Sequence, residues 1–388
     1  MSSEKQIDTI RSLGLRLVRI DPSRSDPAPE TMALSDDEPA VTEQNEIQQR
    51  ELALQQERMQ QLAVQQNALA LCEKRFGEAI RQYRKLLTQI ESQPEVAAQN
   101  SRALIAEFVN DMLREGESAI RLLSEAAGDK SSMHPVNVTV VSLLLGRAVG
   151  LQESELIELG QAAFLHDIGK IQLPDRVRWP EDNFSTAEFK LYQEHVGLGV
   201  QLGQAMRLPK TVLTIIAQHH ELTDGSGFPA RLKGDAISMG ARILSLVNRY
   251  DNLCNPSRPA VAMTPHESLS LIFAQFKARF DPLVLGAFIR MMGVYPPGSV
   301  VQLSDDRYGM VVSVNANRPL KPRVIVYEPG TTKREALILD LEQASGISIR
   351  RSIKPAALPG EALDFLAPRQ RVCYFFEQAS DSQMATLE

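Results

Sequence analysis

The sequence predicts a mainly α-helical protein that ends in a small β module, and three observations carry that reading. Between about residues 100 and 290, apolar residues recur at i, i+3 and i+4, the period of a helix with one buried face. Upstream, no proline occurs between Pro39 and Pro94, and apolar residues there repeat every seven positions. Beyond Pro296-Pro297-Gly298 the apolar period falls to two, the period of a strand.

Taken in order, Leu15 to Ile20 alternates apolar and basic residues, enough for a strand or two behind a short helix. From Asp21 to Ala40 the chain turns to Pro, Ser and Asp, with Pro22, Pro27, Pro29 and Pro39, as linkers do. In the proline-free stretch, Leu62, Leu69, Phe76, Tyr83 and Ile90 hold one heptad position. Leu52, Met59, Ile80 and Leu87 hold a second, broken by Gln66 and Glu73. A long helix with a narrow apolar seam follows. That seam packs either on the rest of its own chain or on a second copy, in a homodimer through residues 46–91.

Helical patterns follow at Leu104–Leu123, Val138–Gly150, Glu153–His166, Thr186–Ala205, Lys210–His220, Ala241–Leu253 and Pro265–Met292. Strand patterns come next at Ser299–Leu303, Met310–Val314, Arg323–Glu328 and Ala336–Leu341, read as a cap on the helices. The end, from about Glu377, reads as frayed. The expected domains are 1–40, a small module and linker; 41–127, helical; 128–295, catalytic; and 296–388, the β module.

With 42 basic and 48 acidic residues, the formal charge of −6 argues against bulk nucleic-acid binding. Cys72, Cys254 and Cys373 stand far apart in no ligand spacing and read as reduced thiols. No run of 18 uncharged apolar residues occurs, and Met1 to Arg11 has no apolar core. The expectation is a soluble cytoplasmic protein with no membrane span.

Histidine placement is the main chemical signal. Five of six, His134, His166, His195, His219 and His220, fall within 87 positions, while His266 stands apart after Pro265. Any one alone would read as a hydrogen-bonded core residue. Five, with Asp167 beside His166 and Lys170 three residues on, point to a metal site in the core of a helical bundle. Neighbours in sequence diverge by about 100° on a helix. His166 and Asp167 therefore serve one ion at a helix end, or two ions with Asp167 between them. Imidazole with carboxylate suits Fe, Mn, Zn or Ni rather than Ca, and no cysteine lies near enough in sequence for a thiolate site. A second motif, His219-His220-Glu221 followed by Asp224-Gly-Ser-Gly-Phe-Pro229, sets a tight turn behind a histidine pair.

Over residues 128–292 the chain resembles the HD-GYP family, a branch of the HD metal-dependent phosphohydrolases. The resemblance lies in His134, the segment His166-Asp167-Ile-Gly-Lys170, Glu194-His195-Val-Gly-Leu-Gly199, and the His219–Pro229 motif. It continues in Ala241-Arg-Ile-Leu244, Arg258-Pro259 and Phe280-Asp281-Pro282. The opening Leu-Gly-Leu-Arg-Leu-Val-Arg-Ile-Asp is similar to a small domain of unknown function that precedes many members.

The resemblance implies an HD-type helical bundle whose centre of two or three divalent transition metals, Fe or Mn first, hydrolyses cyclic di-GMP to pGpG, GMP or both. It implies His134, His166, Asp167, His195, His219 and His220 as ligands, with Asp167 and Lys170 catalytic and Lys170 facing the scissile phosphate. It assigns substrate contacts to Arg258, Asp224, Gly227, Phe228 and Pro229, on a loop that would also offer a protein-docking surface.

Four departures qualify these implications. Asn248 stands where the family has an aspartate ligand, which removes one anionic ligand. Phe228 replaces the tyrosine of the name motif. Ala260 and Val261 follow Arg258-Pro259 in place of an aromatic and a basic residue. Lys130 stands where members with a third metal carry a glutamate, so two metals are expected. The expected function is a cyclic di-GMP phosphodiesterase; the alternative is a degenerate relative that binds cyclic di-GMP or a signalling partner without hydrolysis.

Overall fold

The computed structural model describes residues 38–114, 118–124, 130–179, 184–315, 317–333, 335–344, 346–368 and 371–378, of which 38–44, 118, 130 and 378 are described in backbone alone. The expectations for residues 1–37 and for the tail beyond 378 lie outside these. The chain forms two compact units, residues 1–59 and 60–388.

Helix α1 (Glu38–Gln89) fills the proline-free stretch, and α2 (Pro94–Leu113) opens on a proline whose fixed φ suits a first turn. Strand β1 (Ser118–Leu122) follows, then α3 (Lys130–Ala148), α4 (Glu153–Leu165), α5 (Thr186–Ala205) and α6 (Lys210–Gln218). Next come α7 (Met239–Cys254), α8 (Pro265–Gln275) and α9 (Pro282–Met292). Side chains fix several starts. The Ser185 hydroxyl accepts from Glu188 N while Glu188 accepts from Ser185 N, and Thr264 and Glu267 repeat the exchange at α8. Asp281 accepts from the amides of Leu283 and Val284 at α9, which splits the single helix expected over 265–292.

The β module is one antiparallel sheet of β2 (Val300–Leu303), β3 (Tyr308–Asn315), β4 (Arg323–Val326), β5 (Ile338–Asp340), β6 (Ile349–Ser352) and β7 (Tyr374–Gln378), with α10 (Gly360–Leu366) before β7. Its order is β5-β4-β3-β1-β7, and β2 pairs with both β3 and β6. Three strands differ from expectation, and β6 is one for which no strand pattern was read. The helical pattern over 104–123 stops at Leu113, and residues 118–122 enter the sheet between β3 and β7, Ile120 facing both Val314 and Phe376. The region from Tyr374, read as fraying at Glu377, is β7, held on β1.

The heptad seam divides along α1. Phe76, Tyr83 and Ile90 are buried in the chain's own core, Tyr83 meeting Phe164 edge-on at 5.1 Å. Leu62 and Leu69 are half-buried. Leu52 and Met59 leave 55% and 72% of their surface exposed. Among the described residues no helix is long and apolar enough to cross a membrane.

Candidate metal centre

Four elements bring the histidines together. His134 lies in the first turns of α3, His166 and Asp167 close the end of α4, His195 sits in the middle of α5, and His219 and His220 close α6. His134, His166, His195 and His219 are buried, as is Asp167, and His220 is half-buried. Gly169 allows the approach of the turn after Asp167 to α5. A Cβ there would stand 2.0 Å from the His195 carbonyl oxygen and 2.5 Å from Gly199 N.

The groups form two clusters that share one carboxylate: Asp167 with His195, His219 and His220, and Asp167 with His134 and His166. Each Asp167 oxygen faces one cluster. Oδ2 lies 3.6 Å from His134 Nε2 and 3.4 Å from His166 Nε2. Oδ1 lies 3.7 Å from His195 Nε2 and 3.9 Å from His219 Nε2.

Backbone carbonyls set the tautomers. His166 Nδ1 donates to Ala163 O (2.7 Å), His195 Nδ1 to Tyr192 O (2.5 Å) and His219 Nδ1 to Ile216 O (2.7 Å), each three residues back. A carbonyl only accepts, so each Nδ1 carries the hydrogen and each Nε2 presents its lone pair inward. At His134 the acceptor is Asp251 Oδ2, at 2.5 Å.

These residues fit a metal. His134 Nε2, His166 Nε2 and Asp167 Oδ1 are buried with no hydrogen-bond partner among the described residues, a costly state for polar atoms unless a cation meets them. His195 Nε2 and His219 Nε2 face each other at 3.3 Å, and lone pairs so opposed call for a cation at their side.

Electrostatics agree. Burial, reinforced by the neighbouring imidazoles, holds His219 and His220 well below the usual histidine range and lowers His195 to about 4. Burial also lowers His134, against the pull of Asp251. Burial opposes ionisation of Asp167, but His166 and Lys170 overcome it and hold the carboxyl well below its ordinary value. His134, His195, His219 and His220 are thus held toward the neutral form and the carboxylate toward the charged one, the states in which they ligate.

Lys170 Nζ donates to Asp167 Oδ2 at 2.6 Å and stands 4.6 Å from the Trp179 ring centre and 5.3 Å from that of Tyr192. Burial disfavours its charge, yet Asp167 raises its pKa. Asn248 is buried on α7, its Oδ1 accepting from Asn252 Nδ2 at 2.7 Å. Arg258 is exposed at the start of the 259–261 turn.

The His219–Pro229 motif is a cradle for His220. The Phe228 ring stacks on the His220 ring at 4.4 Å, and Phe228 N donates to His220 O. A Cβ at Gly227 would stand 2.5 Å from His220 O and from Leu222 N, which is why glycine sits there. The buried Glu221 carboxylate, a residue missed from sequence, accepts from the amides of Ala230 and Leu232 and closes the loop. Asp224 accepts from Ser226 N and Oγ within the turn, and both Asp224 and Pro229 are exposed.

Asp251 was missed as well. Its spacing on the helical pattern of α7 was readable, but its partner is 117 positions away.

Known proteins carry the same segments. Residues 117–284 match the HD domain family, residues 1–100 a domain of unknown function (DUF3391), and residues 300–360 a KOW domain associated with HD domains. The chain is 29% identical over 232 residues to the cyclic di-GMP phosphodiesterase PA4108 of Pseudomonas aeruginosa, covering 59% of this chain and 56% of that protein. It is 31% identical over 210 residues to the cyclic di-GMP phosphodiesterase response regulator RpfG of Xanthomonas campestris, covering 53% and 56%. It is 31% identical over 160 residues to the 3'3'-cGAMP-specific phosphodiesterase 2 of Vibrio cholerae, covering 41% and 31%. The chain thus spans about half the length of the first two relatives. Residues 117–284 are thus similar to the HD domain family, and the chain is similar to cyclic di-GMP phosphodiesterases.

Proposed function

We propose that this chain is an HD-GYP protein and a metal-dependent phosphodiesterase that hydrolyses cyclic di-GMP. The observation that carries the reading is the shared carboxylate, with Asp167 Oδ1 directed at one histidine cluster and Oδ2 at the other. Asp167, His195, His219 and His220 would hold one divalent transition metal, and His134, His166 and Asp167 a second, Fe or Mn before Zn or Ni. When bound, such a pair lowers the pKa of a water and polarises phosphoryl oxygens.

The chain's own residues do the rest. Backbone carbonyls fix the imidazoles in the ligating tautomer, and Asp167 keeps its negative charge in a buried setting. Lys170, cationic beside Asp167, sets a positive charge where a phosphodiester gains negative charge during attack. Its hydrogen bond to Asp167 also fixes that carboxylate. Arg258 and the exposed Asp224 and Pro229 of the 224–229 loop would meet nucleotide or a protein partner, and Phe228 stacks on His220.

A second reading has one observation behind it. Asn248 puts a neutral amide on α7 where the resemblance implies an aspartate ligand, and with one anion fewer the second site would be underfilled, leaving binding of cyclic di-GMP or a signalling partner without hydrolysis. The test is hydrolysis by the full chain loaded with Mn(II), or with Fe(II) under anaerobic conditions, on cyclic di-GMP and 3'3'-cGAMP in parallel. Conversion of cyclic di-GMP to pGpG or GMP is the expected result. Retention of both dinucleotides uncut favours the binding reading, and preferential loss of the second overturns the substrate assignment.

A further inference from the structure

Asp251, which accepts from His134 Nδ1 through Oδ2, is itself held through Oδ1 by two side-chain amides. Asn137 Nδ2 is one, a turn after His134 on α3, and Asn255 Nδ2 is the other, at 2.9 Å, at the end of α7. Both amides also grip one stretch of the β module. Asn255 Nδ2 donates to Val372 O and Asn255 Oδ1 accepts from Val372 N, each at 2.8 Å. Asn137 Oδ1 accepts from Tyr374 N at 2.8 Å, and Asn137 Nδ2 reaches Val372 O at 3.3 Å. A second clasp runs beside the first, Tyr250 OH to Tyr374 OH at 3.0 Å and Tyr374 OH to Pro297 O at 3.1 Å. Asn137, Asp251 and Asn255 are all buried, so none of these bonds competes with water.

The stretch so gripped is the lead-in to β7. That strand pairs with β1 along its length, and Phe375 and Phe376 pack edge-on against Phe108 of α2 at 5.4 and 6.1 Å. Cys72 Sγ of α1 reaches Phe376 O at 3.6 Å. A continuous set of contacts therefore runs from α1 and α2, through β7, to the nitrogen of His134 opposite the one that faces Asp167.

We propose that residues 372–374 of the β module, acting through Asn137, Asn255 and Asp251, position His134 and so set how tightly a divalent metal is held by the His134–His166–Asp167 cluster. The inference rests on the metal reading of that cluster. It assigns the C-terminal module a role beyond capping the helices, and makes Asn137, Asn255 and Asp251 positioning residues. An acceptor behind a ligating imidazole fixes its orientation and its basicity, and losing such a partner typically weakens metal binding about 10–100-fold. A chain of amides behind that acceptor transmits the same constraint from the strand.

The test is calorimetric titration of the metal-free full-length chain with Mn(II). His134→Ala identifies the binding class that belongs to this cluster. Asn255→Ala is expected to weaken that class about 10–100-fold, to leave the other class within a factor of about two, and to add no further loss in the His134→Ala background. A fall in both classes alike, or in neither, overturns the proposal while leaving the metal centre standing. A chain in which His134→Ala removes no Mn(II) overturns the metal reading of the cluster instead, and the proposal with it. Should Asn255→Ala fail to fold, Asn137→Ser reads the same selectivity, because it replaces the amide with a shorter polar hydroxyl that cannot span Asp251 and Tyr374 N together.

Discussion

The centre turns on which atom each residue spends on the protein and which it leaves for a ligand. Three histidines spend Nδ1 on a carbonyl three residues back and leave Nε2 inward, and Asp167 divides its two oxygens between clusters. At Asn248 the side-chain oxygen is spent on Asn252 instead. Restoring a carboxylate by Asn248→Asp should tighten metal at the His134 cluster on the order of tenfold, about 1.4 kcal/mol, and raise turnover with it; titration and initial rates on one preparation check both. Gly227→Ala should cost about 1–3 kcal/mol of stability in denaturant titration, because its methyl would collide with the backbone of His220 and Leu222. The grouping of these residues was legible in sequence because histidines are scarce and these cluster. The roles of Asp251 and Asn137 were not, since each is an ordinary polar residue until a distant partner buries it, and Glu221 stood in the quoted motif without the loop contacts that give it a role.

At the scale of elements, the long helices were legible and three strands, β1, β6 and β7, were not. The helix period is local, so α5 follows its expected span from Thr186 to Ala205. Ser118–Leu122 has neither local turn chemistry nor a neighbouring strand; its partners lie about two hundred residues or more downstream, in β3 and β7. Helix α1 answers to both readings of its heptads. Its later turns are consumed by the chain's own core, while Leu52, Leu54, Met59 and Val64 remain exposed along the earlier ones. We expect this exposed segment to pair with a second copy. Sedimentation at micromolar concentration should give the dimer mass, and Leu52→Glu with Met59→Glu should return the monomer; a monomeric native chain contradicts the pairing.

For the whole molecule, burying neutral imidazoles ties stability to pH. His195 has a folded pKa of about 4 against an ordinary value of 6.5, so between those values the unfolded chain binds more protons than the folded one. Stability is full above about pH 6.5 and declines as pH falls toward 4, and His219 and His220 act in the same direction. The melting temperature of the metal-free protein should drop across that window. Bound metal should oppose the drop in its upper part, since ligation requires the same neutral imidazoles. Burial likewise pushes the thiols of Cys72 and Cys254 up to about 12, so thiol reagents should label them only on unfolding.

The most direct test of the central claim joins metal content to catalysis in one sample. Elemental analysis of the purified chain, followed by cyclic di-GMP turnover on the same material and on Asp167→Ala, is the measurement. The account predicts about two metals per chain, hydrolysis in the native protein, and loss of both metal and turnover in the variant. A fully loaded native chain that leaves cyclic di-GMP intact, or an Asp167→Ala variant that still cleaves it, would contradict the account.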